Sequence, residues 1–164
     1  MHLYLVRHGK AHRHADSGRD DDRTLKHRGE RQAAFLGEAL GALEPGARPA
    51  LILSSPITRA LQTARILENT LALPLQIEQG LSTRAGEDDL LALVRTRQDE
   101  GPLAVVGHNP TLESAVSRLL KRTEPRPPAV RTGMCVVIEF AGRIAPGAGT
   151  LVRTLREPED DDDE

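Results

Sequence analysis

Leu3-Tyr4-Leu5-Val6-Arg7-His8-Gly9 is the stretch that decides the fold. A short apolar run closed by polar residues and Gly predicts a buried strand. The Arg-His pair then falls where that strand ends and a loop begins, and open α/β sheets collect their chemistry outside the carboxyl ends of strands. Two later segments repeat the arrangement. Leu51-Ile52-Leu53-Ser54-Ser55-Pro56-Ile57-Thr58-Arg59-Ala60-Leu61-Gln62-Thr63-Ala64 reads as strand, turn, helix. Ser55 is its expected N-cap, Pro56 suits the first helical position, and Arg59 lies in the first turn. Leu103-Ala104-Val105-Val106-Gly107-His108-Asn109-Pro110-Thr111-Leu112-Glu113 reads the same way, with Asn109 as the expected N-cap, Pro110 inside the helix and His108 at the turn. If the three strands are parallel, they deliver Arg7, His8, Arg59 and His108 to one sheet edge. Two guanidiniums and two imidazoles with no carboxylate among them suit a small, highly charged anion. A tetrahedral phosphate fits best, because Arg forks bind its oxygens bidentately.

The rest of the chain continues the alternation. A helix is predicted over 28–43, with Ala33, Leu36, Leu40 and Leu43 on one face. A second runs over 56–71, a short strand covers Leu75-Gln76-Ile77, and a helix over 87–98 turns Leu90, Leu91 and Val94 inward. A strand at 103–106 and a helix at 110–121 follow, then a Pro-rich irregular stretch at 123–130. Runs 134–140 and 150–155 read as an antiparallel pair at one edge, joined by a Gly-rich loop. The pattern predicts a three-layer α/β/α sandwich whose sheet is mostly parallel with an antiparallel edge. Residues 1–156 are expected to form one domain, and the acidic run 157–164 a solvated, disordered tail. The polar stretch 10–23 is too long for an ordinary connection, and long loops at an active edge are often functional.

Composition narrows the function classes. The 164 residues carry a formal net charge of -2, so there is no bulk case for nucleic-acid or membrane binding. One Tyr, two Phe and no Trp leave little to stack bases on. The single cysteine, Cys135, sits in an apolar run and reads as a buried thiol, with no intrachain disulfide available. No stretch has signal-peptide character or the length to span a bilayer, so the expectation is a cytoplasmic protein with no membrane partner.

The Arg7-His8-Gly9 signature, the Ser54-Ser55-Pro56-x-x-Arg59-Ala60-x-Gln62-Thr63-Ala64 block and the Gly107-His108-Asn109-Pro110 block resemble the histidine phosphatase superfamily in order and spacing. That superfamily also holds the cofactor-independent phosphoglycerate mutases. The likeness runs from about Leu3 to Phe140. The chain is most similar to the short branch around the phosphohistidine phosphatase SixA, whose loop before the first helix is resembled by Asp22-Arg23-Thr24-Leu25 and Arg28-Gly29. The resemblance implies a phosphoglycerate mutase-like fold and a metal-free mechanism without cofactor. It implies a phosphorylated substrate, either phosphohistidine in a protein or a small phosphometabolite. The compact branch lacks large insertions over the active edge, which implies an open, shallow site.

Each residue then takes a role. His8 is the expected nucleophile: a neutral imidazole attacks through one nitrogen while the other donates the hydrogen bond that fixes its tautomer. Arg7 and Arg59 are expected to hold the phosphoryl oxygens and neutralise charge as the transition state spreads it. His108 is expected to donate a hydrogen bond to the transferring group and to be partly cationic there. Arg23, by its place in the SixA-like loop, is a candidate for a further phosphate contact or a plain loop arginine. Asn109 reads as a helix cap and not a ligand. His12, His14 and the Asp20-Asp21-Asp22 run match no dedicated metal site. Superfamily members that cleave alkyl phosphates commonly carry a carboxylate after the third strand to protonate the leaving oxygen. In Glu78 to Asp89 nothing matches that acid; Glu87 and Asp88 read as first-turn residues favoured by the helix dipole. A missing acid favours a leaving group that departs readily, such as the imidazole of phosphohistidine. The competing readings are a small-molecule phosphomonoesterase or mutase, and a non-catalytic phosphate-binding module.

Overall fold

The Leu3–Val6 run forms the fully buried middle of strand β1 (His2–Arg7), and β1 lies inside the sheet with apolar layers on both faces. The computed structural model describes residues 1–123 and 126–160. Residues 124–125 of the Pro-rich stretch and 161–164 of the acidic run lie outside the described residues. The other strands are β2 (Leu51–Ser54), β3 (Leu75–Ile77), β4 (Leu103–Gly107), β5 (Cys135–Phe140) and β6 (Gly149–Leu155). The helices are α1 (His27–Gly41), α2 (Thr58–Leu71), α3 (Glu87–Arg97) and α4 (Thr111–Leu119). The six strands form one sheet in the order β3-β2-β4-β1-β5-β6. β1, β2, β3 and β4 run parallel, and β5 and β6 add the expected antiparallel edge.

Alternation along the strands divides the core, because successive side chains point to opposite faces. Leu3, Leu5, Leu53, Leu103 and Val105 meet Leu90 and Val94 of α3 and Leu112, Val116 and Leu119 of α4 on one face. Tyr4, Val6, Ile52, Ala104 and Val106 meet Leu36 and Leu40 of α1 and Ala60, Ala64 and Leu67 of α2 on the other. Register places the chemistry: Arg7 lies opposite Gly107, and Ser54 opposite Val106. The strands therefore end level, and the residues that follow them emerge side by side.

Several boundaries differ from expectation for local reasons. α1 stops at Gly41 because the Leu43 N–H turns back to the Leu40 carbonyl in a tighter final turn. α2 begins at Thr58 and not at Pro56: the Ser55 hydroxyl accepts the Ile57 N–H at 3.1 Å, closing a turn of its own, and Ile57 takes the N-cap position. Asn109 does not cap α4; its amide Nδ2 donates to the Val130 carbonyl at 2.8 Å, and Pro110 is the N-cap. α4 ends at Leu119 because the chain then extends to donate from Lys121 to Gly149.

The turn after β1 crosses the first turn of α1 with no room for a side chain. A Cβ on Gly29 would overlap the Lys10 carbonyl, and one on Gly9 would lie 2.5 Å from the Gly29 carbonyl oxygen. Both obstacles are backbone and cannot rotate away. Gly29→Ala is therefore expected to destabilise the chain by about 1–3 kcal/mol, read as a lower urea midpoint at unchanged m-value.

Burial accounts for Cys135, whose thiol is pushed up to about 12 and is unreactive. No helix among the described residues is long and apolar enough to cross a membrane. The first residues of the acidic run lie against the body: Glu157 pairs with Arg31 at 3.7 Å, and Glu159 with Arg28, Arg131 and Arg156.

Candidate active site

Backbone hydrogen bonds join the strand ends into one platform. The His8 N–H donates to the Gly107 carbonyl at 3.2 Å, and the Ser55 N–H to the Val106 carbonyl at 3.0 Å. The Gly9 N–H donates to the Thr63 hydroxyl at 3.1 Å, and that hydroxyl donates to the Arg59 carbonyl at 2.8 Å. One turn of α2 thus presents Arg59 and steadies the turn that carries His8. Side-chain amides do the same further out: Gln32 Oε1 accepts the Lys10 N–H at 2.9 Å, and Gln62 Oε1 accepts the Leu25 N–H at 2.8 Å.

His8 is held as a neutral base. Its Nδ1 lies 2.7 Å from the Gly9 carbonyl oxygen, which can only accept, so Nδ1 carries the proton and Nε2 carries the lone pair. Arg59 Nε donates to that Nε2 at 3.3 Å. Desolvation lowers the His8 pKa to about 4; the Gly9 hydrogen bond opposes the shift, and the charges of Arg59, Arg7 and Arg23 reinforce it.

The His108 ring lies 5.3 Å from the His8 ring, centroid to centroid. Burial lowers its pKa to about 3, with further contributions from His8 and Arg59. Desolvation and the neighbouring guanidiniums favour the neutral imidazole. Its Nε2 lies 2.8 Å from Ser55 Oγ. That hydroxyl accepts the Ile57 N–H, and its own proton has His108 Nε2 as the acceptor at hand. In this arrangement Nδ1 bears the ring hydrogen. Nδ1 is buried without a partner and so is free to donate to a phosphoryl oxygen.

Both arginines reach the site from rigid elements. Arg7 Nη1 donates to the Val130 carbonyl at 3.0 Å, and its buried Nε has no partner. Arg59 is 5% exposed. Desolvation pushes both guanidiniums down, but Arg remains charged in any protein setting.

One carboxylate does enter the site, against expectation. Arg59 donates through Nη1 to the Asp20 carbonyl at 3.1 Å and through Nη2 to Asp20 Oδ2 at 3.3 Å. Arg23 Nε donates to the other oxygen of the same carboxylate at 2.8 Å, and Arg23 Nη1 donates to the His12 carbonyl. Arg23 therefore stands one carboxylate away from Arg59. Desolvation pushes Asp20 up, but the Arg23 hydrogen bond and the Arg59 and Arg23 charges outweigh it and hold the carboxyl below its ordinary range. His8, Arg59 and His108 are each less than one-tenth exposed, and the 10–23 loop lays Asp20 on Arg59.

Any anion that engages the Arg59 fork would have to displace Asp20 from it. The Asp20 side chain is 61% exposed, so its pair is worth at most about 1 kcal/mol. Asp20→Asn is expected to tighten vanadate or tungstate inhibition by up to about fivefold, measured as Ki at constant ionic strength; an unchanged or raised Ki would show that the carboxylate does not compete.

Other candidates lie elsewhere. Glu87 and Asp88 both pair with Arg118 of α4, and neither has a contact with the two histidines or with Arg7 and Arg59. His12 and His14 are exposed, and among the described residues no group of three or more His, Cys, Asp or Glu is placed to hold a metal ion. Ser55, Thr63, Gln32 and Asp20 are positioning or competing residues that sequence reasoning missed. Ser55 and Thr63 lie inside the Ser-Ser-Pro block and could have been found there. Asp20 resembled any other solvated aspartate.

The two depressed imidazoles tie stability to pH. Above about pH 6.5 neither the folded nor the unfolded chain holds their protons, and the native state is undiminished. As pH falls from there toward 4, the unfolded chain takes up protons that the folded chain refuses, and stability is lost. His8 alone accounts for about 3 kcal/mol of that loss, at about 1.4 kcal/mol per pH unit. Urea unfolding at pH 7 and pH 4.5 is expected to show a smaller acid loss in His8→Asn and His108→Asn than in wild type.

Comparison with known proteins bears on this geometry. The histidine phosphatase superfamily (branch 1) matches residues 3–87. An uncharacterized protein of Picosynechococcus sp. is 39% identical over 116 residues, 68% of either chain. Among solved structures, the protein histidine phosphatase SixA complexed with tungstate superposes with a TM-score of 0.80 at 22% identity, covering 95% of this chain and 97% of that one. Mycobacterial glucosyl-3-phosphoglycerate phosphatase superposes at 0.63 with 16% identity, covering 92% and 96%. At such identities these two likenesses establish the shared fold. The family match spans the β1 turn and the start of α2, the two elements that bring Arg7, His8 and Arg59 together, and on it the chain belongs to the histidine phosphatase superfamily, branch 1.

Proposed function

We propose that the protein is a metal-independent phosphatase that works through a phosphohistidine on His8 and acts on phosphohistidine in other proteins. The observation that carries the reading is the state of His8: neutral, Nδ1 fixed on the Gly9 carbonyl, and Nε2 directed at the Arg59 guanidinium. In the first step the Nε2 lone pair attacks phosphorus, the bond from phosphorus to the leaving group breaks, and that group takes the electron pair. Arg7, Arg59 and the His108 Nδ1–H meet the equatorial oxygens where charge accumulates. In the second step water attacks phosphorus, the P–N bond breaks, its electrons return to Nε2, and inorganic phosphate leaves. Either step needs its anion to displace Asp20 from Arg59.

The protein substrate is favoured by the lack of a general acid. The carboxylate nearest the chemistry, Asp20, is ionised by its two guanidiniums and has no proton to donate. Asp88 is hydrogen-bonded to Arg118, and Glu87 lies 3.7 Å from the same guanidinium with no hydrogen bond to the residues around His8. A phosphoimidazolium substrate needs no acid, because its ring leaves as neutral imidazole. The higher superposition on SixA, described as a protein histidine phosphatase, supports the same reading.

The test is hydrolysis of a chromogenic aryl phosphate and of a phosphohistidine peptide after exhaustive dialysis against chelator. Both activities are expected to persist undiminished and to be inhibited by vanadate or tungstate. Loss on dialysis with rescue by a divalent ion would overturn the metal-independent mechanism. Absence of any hydrolysis would establish the non-catalytic binding module instead.

A further inference from the structure

Next to the catalytic residues lies a second cleft, of about 390 Å³, that the mechanism does not use. Lys10, Arg28, Arg131 and Arg156 line it, and Arg7 forms the wall it shares with the site. Val130 belongs to the same wall: its carbonyl accepts from Arg7, and its N–H donates to Glu113. Five cations thus face the cleft, and among the described residues its carboxylates are Glu113 and Glu159. Glu113 is committed to Val130.

Glu159 is the chain's own occupant. Its Oε1 accepts from Arg131 at 2.6 Å, from Arg156 at 2.7 Å and from Arg28 at 3.3 Å. The stretch that carries it, after Arg156, has no helical or strand pairing. Arg156 is fixed from the other side by its Nε donating to the Thr132 carbonyl at 2.9 Å, and its side chain is only 12% exposed. The cleft therefore already accepts a glutamate side chain offered by an extended polypeptide. It does so beside the arginine that holds the phosphoryl group.

We propose that this cleft is a second anion-binding site that receives an acidic residue flanking the phosphorylated residue of a protein substrate, and that Glu159 occupies it until substrate displaces it. The site deepens the protein-substrate reading and rests on it only for the identity of the ligand. Three partly exposed guanidiniums converging on one carboxylate exceed a single surface pair, because the bridging oxygen satisfies all three at once. The arrangement favours substrates whose acidic group sits one cleft away from the phosphoryl group. The tail sets the threshold those substrates must exceed.

Binding can be tested without turnover, using a fluorescein-labelled, unphosphorylated hexaglutamate peptide and the full chain, read by anisotropy at low salt. Glu159→Gln is expected to tighten binding by about threefold or more, and Arg28→Gln with Arg131→Gln to weaken it by about tenfold. Aryl phosphate hydrolysis should stay unchanged in both. Peptide phosphohistidine flanked by glutamates should show a KM about tenfold below that of a neutral peptide, a ratio lost in the double arginine variant. Failure of Glu159→Gln to bind the peptide, or binding indifferent to Arg28 and Arg131, would overturn the site. Displacement of the peptide by an equimolar free dicarboxylate would overturn the polypeptide assignment. Intact peptide binding in an enzyme that leaves phosphohistidine untouched would instead overturn the proposed activity and keep the site.

Discussion

His8→Ala is expected to lower kcat by about 10⁴-fold or more while the chain still folds. The ring occupies a strand end, and its one hydrogen bond to backbone is to the neighbouring Gly9 carbonyl, so its loss leaves both apolar layers untouched. Arg7, Arg59 and His108 remain and still bind an oxyanion, but nothing is left to accept the phosphoryl group. Brief mixing of wild type with labelled substrate should trap label on His8. A phosphoramidate is stable to alkali and lost in acid, and the adduct should behave so. Because Nε2 is deprotonated down to about pH 4, kcat/KM should not fall between pH 7 and pH 5 through protonation of His8. Full activity in His8→Ala, or an acid-stable adduct, would rule out the mechanism.

The second large effect concerns the leaving group. An alcohol departs poorly unless protonated, whereas imidazole, with a reference pKa of about 6.5 for its conjugate acid, departs readily. A site with strong phosphate clamps and no acid should therefore prefer phosphoramidates to alkyl phosphates by roughly two to four decades in kcat/KM, the range a general acid supplies. Each decade corresponds to about 1.4 kcal/mol of barrier. Among esters, activated aryl phosphates should exceed serine-type ones. Glu87→Gln and Asp88→Asn should change phosphohistidine turnover little, since Asp88 is hydrogen-bonded to Arg118 and Glu87 pairs only with the same guanidinium, at 3.7 Å. The deciding comparison sets a phosphohistidine peptide against a phosphoserine peptide and 3-phosphoglycerate. Equal or better rates on the alkyl phosphates, abolished by either acid variant, would show that an acid exists and that a small metabolite is the substrate.

The Asp20 competitor and the Glu159 occupant share one logic. Each cationic patch holds a carboxylate of the chain itself. Leaving the buried Arg59 guanidinium unpaired would be costly, and an exposed carboxylate neutralises it at little cost to binding.

The sequence by itself determined the layers of the fold and the four residues at their edge. Three strand-turn-helix segments, each with its cation or imidazole just past an apolar run, are local patterns: hydrophobic periodicity and turn chemistry act over a few residues. The parallel register then brought Arg7, His8, Arg59 and His108 level, as the spacing predicts. Tertiary structure alone decided which partner each of them takes. Asp20 reaches Arg59 across 39 positions, Ser55 meets His108 across 53, and Glu159 reaches Arg28 across 131. Helix starts shifted for the same reason, when Ser55 and Asn109 spent their polar atoms on tertiary or turn partners instead of caps. A short polar side chain has several hydrogen-bonding outlets of similar strength, and only burial and the approach of a distant segment select among them. The charge states followed the same rule: burial, invisible in composition, made both imidazoles neutral.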